Sequence, residues 1–162
     1  MAYYNREKAI EYAKKWATTR NPAYLNFDGI GGDCTNFVSQ CLYAGSGVMN
    51  YTRDVGWYYN SPTDRAAAWT GVVYLHKFLT TNKGPGPYGE ELPLEYVNHV
   101  EPADIIQLNY TGNLYGHSLF VIETKPEILV AQHSGGQNYF GKPFADYYYQ
   151  QARLIHITGV NS

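Results

Sequence analysis

The sequence predicts an α+β fold, because the period of its apolar residues changes partway along the chain. In the first half apolar residues recur at helical spacing: Ile10, Ala13 and Ala17; then Cys34, Phe37, Val38, Cys41 and Leu42; then Val72, Leu75, Phe78 and Leu79. From Pro102 onward the runs are short, β-branched or aromatic and separated by turn residues, at 103–110, 116–124, 127–133 and 152–159, which reads as an antiparallel sheet. Helices first and strands afterwards give segregated layers rather than alternating βαβ units. At 162 residues the chain suits a single domain spanning 1–162, large enough to bury about 70% of its unfolded surface.

Taken in order, Asn5 caps a first helix expected to reach about Arg20, with Trp16 beside its apolar face, and Asn21-Pro22 stops it. Residues 24–32 are a loop. Asn26, Asp28 and Gly29 give it a faint likeness to a calcium loop, but calcium takes about six to eight oxygens and only Asp33 is near, so an ordinary turn is expected. Gly31-Gly32 then permits a sharp change of direction, and Asp33, a good N-cap residue, opens a second helix at Cys34. Gly45-Ser46-Gly47 closes it. Residues 48–69 form an irregular excursion carrying Trp57, Tyr58, Tyr59 and Trp69, either the wall of a substrate cleft or a surface loop pinned by its own aromatics. Thr70 is the expected cap of a third helix, in which His76 falls off the apolar stripe into solvent, and Lys83 to Gly89 reads as loop.

A formal charge of −2 and a pI near 6.2 lack the basic footprint of a nucleic-acid binder. Seventeen tyrosines and eight prolines beside 16% charged residues describe a surface rich in flat, amphipathic side chains, as carbohydrate and peptide clefts often are. No apolar run is long enough to cross a membrane and no signal-like segment appears, so membrane insertion is not expected and any export signal or anchor lies outside this sequence. A monomer is expected.

Cys34 is the residue around which function is read. In the first turn of a helix the unpaired N–H groups and the positive end of the macrodipole favour thiolate over thiol, as a nucleophile requires. Asp33 beside it pulls the other way, so Cys34 needs a cationic partner, most simply an imidazolium. On spacing alone Cys34 is equally a member of the buried stripe, as Cys41 is; its place at the mouth of the stripe after Gly-Gly-Asp is what points to chemistry. Seven helical residues separate the two thiols by about 10 Å, beyond disulfide reach.

The run Asp33-Cys34-Thr35-Asn36-Phe37-Val38-Ser39-Gln40-Cys41-Leu42-Tyr43-Ala44-Gly45 resembles the signature of the putative amidase domain family, relatives of the CHAP and NlpC-type domains in the papain-like superfamily. The likeness extends weakly upstream through Tyr4-Asn5-Arg6, Ala9, Tyr12-Ala13, Trp16 and Arg20-Asn21-Pro22, and downstream through Gly116-His117, covering nearly the whole chain. It implies a papain-like fold, with N-terminal helices packed on a C-terminal antiparallel sheet and the nucleophile at the start of one helix. It also implies a cofactor-free cysteine hydrolase of amide bonds acting on peptidoglycan peptides, extracellular or associated with the cell wall.

Pro102-Ala103-Asp104-Ile105-Ile106 resembles the entry to the first core strand of CHAP-like relatives, whose catalytic histidine begins the next strand; Gly116-His117-Ser118-Leu119-Phe120-Val121 fits that place. A third residue, orienting the imidazole, comes in such relatives from the following strand, here Val130-Ala131-Gln132-His133. Opposed residues of an antiparallel pair share a face. A three-residue loop at Thr124, Lys125 and Pro126 sets His117 opposite His133, whereas a two-residue loop slips the register and brings Gln132 to the histidine's face. The family position and the better acceptor favour His133 as third member, with Gln132 beside the oxyanion. Tyr24 is a candidate oxyanion donor, as upstream tyrosines are in NlpC-type relatives, and Asp33 and Trp57 are weaker substrate-binding positions.

Two competing readings remain. Cys34, His117 and His133 could hold zinc with a water, but no CxxC, HxxH or HExxH cluster supplies two ligands from one element, so no metal is expected; His99 and His156 are read as structural. A catalytically silent cell-wall or peptide-binding domain could use an aromatic cleft. Retention of Cys34, His117 and a polar third residue favours the enzyme.

Overall fold

A computed structural model, described for residues 2–162, is α+β. Helices α1 (Arg6–Trp16) and α2 (Cys34–Ser46) are followed by a small hairpin, β1 (Tyr59–Ser61) and β2 (Asp64–Arg65), and by α3 (Ala67–Thr70) and α4 (Val72–Thr81). The strands β3 (Gly86–Leu92), β4 (Ile105–Asn109), β5 (His117–Glu123), β6 (Leu129–Gln132), β7 (Tyr139–Pro143) and β8 (Gln151–Asn161) form one sheet. Its order is β3-β8-β4-β5-β6-β7, antiparallel throughout.

Both sheet faces are covered, which is why the strands read as continuous apolar runs. Alternate side chains go to opposite faces: Ile105, Phe120, Ile122, Ala131 and Ile155 meet Phe37, Val38, Cys41 and Leu42 of α2 on one side. Ile106, Leu108, Leu119, Val121 and Val130 form a smaller core with Val100 and Phe144 on the other. Because α2 lies between the sheet, α1 and the 57–69 aromatics, 11 of its 13 residues are buried, polar ones included. Two of these polar side chains bond the buried tryptophans: Ser39 Oγ accepts from Trp57 Nε1 at 3.0 Å and donates to Trp69 O at 2.8 Å, and Asn36 Oδ1 accepts from Trp69 Nε1 at 3.0 Å.

Several expected boundaries shift for identifiable reasons. Asn5 does cap α1, its Oδ1 accepting from Lys8 N at 3.1 Å, but the helix stops at Trp16 rather than near Arg20. Gly47 ends α2 in the left-handed region at φ 68°. The third helix is split, one turn at α3 and then α4, with Gly71 rather than Thr70 at the cap position. Trp57 is not a cleft wall. It is fully buried, 4.8 Å between centroids from Trp69 and 6.0 Å from Phe78, so these two tryptophans of the 48–69 segment belong to the core, while Tyr51 and Val55 stay exposed. His76 is half-buried against Glu91 at 2.6 Å rather than free in solvent, and His156 pairs with the buried Asp104 at 2.9 Å. Strands β3 and β7, absent from the sequence reading, are the sheet's two edges, where the missing donor of Pro87 and the glycine at Gly141 (φ 98°) are tolerated.

Asp33 overturns a second expectation. It occupies the cap position of α2, yet its side chain makes no capping bond. The carboxylate turns into the protein at 1% exposure, accepting from Phe27 N and Asn36 Nδ2, both at 2.8 Å, and from His133 Nδ1 at 2.7 Å. His133 Nε2 in turn donates to Trp16 O at 2.8 Å, so the ring donates from both nitrogens and ties the end of α1 to the start of α2.

Two substitutions test this packing. Gly45→Ala places a Cβ 2.7 Å from Tyr4 Cε1 and 2.8 Å from the Asn5 carbonyl, at the crossing of α2 with the α1 entry. Helix propensity alone would stabilise by about 1 kcal/mol; overpacking should reverse the sign and cost about 1–3 kcal/mol in urea unfolding. His133→Ala removes a hydrogen-bond donor from the buried Asp33 carboxylate and should destabilise by about 1–3 kcal/mol, seen as a fall in melting temperature.

Candidate active site

Cys34 is the first residue of α2, with 8% of its surface exposed. The first backbone bond of the helix is Phe37 N to Asp33 O at 3.0 Å, so the N–H groups of Cys34, Thr35 and Asn36 have no partner within the helix. Because Asp33 turns away, no carboxylate occupies that electropositive end. Thr35 Oγ1 meets Ser118 Oγ at 2.9 Å, pinning the start of α2 to the start of β5. That contact brings the His117 ring and the Ser118 backbone N–H beside the thiol.

His117 is 6% exposed, and its Nε2 lies 3.0 Å from Gln132 Oε1. Its other nitrogen is thereby left for Cys34. The glutamine is fixed in turn: its Nε2 donates to Gln137 O at 2.7 Å and Tyr147 Oη donates to the same Oε1 at 2.5 Å, which requires the oxygen, not the amide nitrogen, to face the imidazole.

Ionisation follows from these neighbours. Burial pushes the Cys34 thiol up, but His117, the Ser118 N–H and the Thr35 hydroxyl outweigh it and hold the thiol below its ordinary value. Burial pushes the His117 ring down, and Cys34 and Gln132 more than reverse this, raising it above the ordinary imidazole range against the opposing charge of Lys142. Both shifts run toward a thiolate facing an imidazolium. Cys41, two turns further in, is driven well above the ordinary thiol value by burial.

The residue beside the His117 ring is Gln132 and not the expected His133. The observed register pairs Phe120 with Ala131 and Val121 with Val130, so residues 117 and 132 share one face, while His133 projects from the other. There His133 lies against Phe37, 4.2 Å between centroids, with both nitrogens committed to Asp33 and Trp16. Loop length alone misleads because a bulge between Val121 and Glu123 absorbs a residue before the turn. Cys34, His117 and His133 therefore do not converge as metal ligands. Tyr24 belongs to the aromatic cluster, 4.9 Å from Tyr59 and 5.9 Å from Trp69 between centroids, its hydroxyl pushed up to about 12 by burial; no hydrogen bond or ring contact joins it to Cys34 or His117.

The tyrosines that do flank the imidazole are Tyr110 and Tyr147, with centroids 6.1 and 6.4 Å from His117. Lys142 stands beside them, its Nζ 4.6 Å from the Tyr139 ring and 4.5 Å from that of Tyr147. No spacing in the sequence selects these residues. Tyr147 is one of three consecutive tyrosines, and only the path of the chain after β7 singles it out.

Comparison with known proteins agrees with the signature at the start of α2. No solved structure matches the chain. YhbB of Bacillus subtilis (strain 168), an uncharacterized protein, is 32% identical over 122 residues, which are 74% of this chain and 37% of that protein. The chain thus covers little more than a third of that relative's length. The model of the putative amidase domain matches residues 3–157, a family whose description indicates hydrolysis of amide bonds. With that match spanning almost every element from α1 to β8, the chain belongs to the putative amidase domain family.

Proposed function

We propose that this protein is a cysteine hydrolase of amide bonds with a papain-like arrangement, in which Cys34 is the nucleophile, His117 the general base and acid, and Gln132 the residue that orients the imidazole. The observation that carries the reading is the 3.0 Å contact of His117 Nε2 with Gln132 Oε1, which leaves the opposite ring nitrogen to a thiol at a helix N-terminus. The thiolate attacks the amide carbonyl, and the oxyanion is held by N–H groups of the first turn, left available by the inward turn of Asp33. The His117 imidazolium gives its proton to the departing amine. Water then attacks the thioester with His117 as base, releasing a carboxylic acid and restoring the thiol.

The substrate class we infer from the family likeness is a peptidoglycan stem peptide, met outside the cell. The binding-only alternative loses its main support with Trp57 in the core.

Digestion of purified peptidoglycan with mass analysis of the released fragments tests the proposal. Wild-type protein should release new amine and carboxyl ends, and Cys34→Ala should lower turnover by roughly 10⁴-fold with an unchanged melting temperature. Full activity in Cys34→Ala would sink the proposal. His117→Ala should be nearly as severe, and the double variant no worse, since the two act as one unit. Gln132→Ala should cost about 100-fold or less, because nucleophile and base remain in place.

Thiol chemistry gives an independent measure. Iodoacetamide at neutral pH should label Cys34 and spare Cys41, and equal labelling of both would contradict the ionisation described above.

The pH profile has a defined sign. Activity needs the thiolate and the imidazolium together: it should fall as pH drops through the lowered Cys34 value and fall again as pH rises through the raised His117 value. Gln132 helps to raise His117, so Gln132→Ala should move the alkaline limb to lower pH and leave the acid limb nearly in place.

A further inference from the structure

Beside the catalytic pair stands a cation that the mechanism does not use. Lys142 lies on the edge strand β7, half-buried, its ammonium held between the faces of Tyr139 and Tyr147 at 4.6 and 4.5 Å. Two ring faces attract a cation and restrict where it can sit, but they accept few hydrogen bonds from its three N–H donors. Among the described residues no carboxylate lies within ion-pair distance of it; Asp146, close in sequence, is exposed and forms no ion pair. The chain carries 14 acidic and 12 basic side chains, so an uncompensated lysine here does not reflect a surplus of positive charge.

Its position is what gives it meaning. The Tyr147 ring that holds the ammonium lies 6.4 Å from the His117 ring, and the Tyr147 hydroxyl bonds Gln132. The cation is therefore one side chain away from the atoms that cut the amide.

We propose that Lys142, caged by Tyr139 and Tyr147, is the subsite for a substrate carboxylate, so that the peptide cut at Cys34 is an acidic one with a free carboxylate near the scissile amide. The inference rests on the reading of Cys34 and His117 as the hydrolytic pair. A substrate carboxylate supplies the acceptor that the ammonium lacks, and the aromatic cage lowers the entropic cost of fixing a flexible lysine on it. Lys142 also opposes protonation of His117, so a carboxylate that neutralises it removes that opposition when substrate binds.

The test uses the full chain carrying Cys34→Ala and two synthetic peptides, L-Ala-γ-D-Glu-L-Lys with a free α-carboxylate on the glutamyl residue and the same peptide with that group as a carboxamide. Calorimetry should show the acidic peptide binding about tenfold tighter, as for a hydrogen-bonded charge pair. Lys142→Gln should remove the difference, Lys142→Arg should keep most of it, and added salt should shrink it. Melting temperatures of the variants identify any loss due to unfolding, and Lys142→Arg keeps the question answerable if Lys142→Gln unfolds. Equal affinity for the two peptides, binding of neither, or a preference that survives Lys142→Gln overturns the proposal. Turnover of the same peptides by protein with Cys34 intact is read separately: a carboxylate preference without hydrolysis refutes the catalytic reading and leaves the subsite standing, while hydrolysis without a preference does the reverse.

Discussion

A carboxylate at 1% exposure must be paired, and the pairing of Asp33 organises the first third of the molecule. Phe27 N–H reaches it from the loop, Asn36 from α2, and His133 from the end of β6. Through the far nitrogen of His133 the same assembly reaches the last turn of α1. Three segments meet on this one side chain, and His133 links it to a fourth. The arrangement also settles an electrostatic conflict, since an acid next to Cys34 would oppose ionisation of the thiol if it faced it. Turned inward and matched with an imidazole of its own, Asp33 leaves the start of α2 positive.

The two histidines near the helix start thus divide the work by sheet face. His133 lies on the helix-bearing face and holds elements together, while His117 looks to the other face, where Gln132, Tyr147 and Tyr110 surround it. Between them Thr35 and Ser118 clasp α2 to β5, and Ser118 continues to Gln107 and from there to Arg153. A buried polar chain of this kind is favourable only when each member is satisfied, and here each is. It fixes the depth at which the helix sits on the sheet, and with it the approach of thiol to imidazole.

Much of this architecture was legible because burial writes periodicity into sequence. The α2 stripe and the four inner strands announce themselves through residues such as Phe37, Val38, Ile105 and Phe120, which have no alternative to the core. The edges did not, since Pro87 and Gly141 are turn residues by local preference and strand residues only because a neighbouring strand lies on one side. Trp57 was ambiguous for a different reason: a tryptophan in an irregular segment gives no sign of which way it faces. At the site, Cys34 and His117 stood out by position in their elements. The choice between Gln132 and His133 hung on a single residue of register, which the bulge after Val121 decided. Tyr147 and Lys142 gave no signal, because their relation to His117 exists only in three dimensions.

The place of β8 in the sheet has its own consequence for how the molecule is made. The strand that comes last in the sequence lies between β3 and β4, so two earlier strands share it as a partner. Ile157 within it supplies the carbonyl for Arg6 of α1 and the N–H for the buried Asp104. A growing chain on the ribosome therefore carries β4 with one side unpaired, Asp104 short of a donor and Arg6 of α1 short of one acceptor until β8 emerges. Contacts of such long sequence separation form slowly, and the sheet is completed only once β8 is available. Before β8 is in place, the edge of β4 that it covers is an unpaired row of backbone donors and acceptors flanked by apolar side chains.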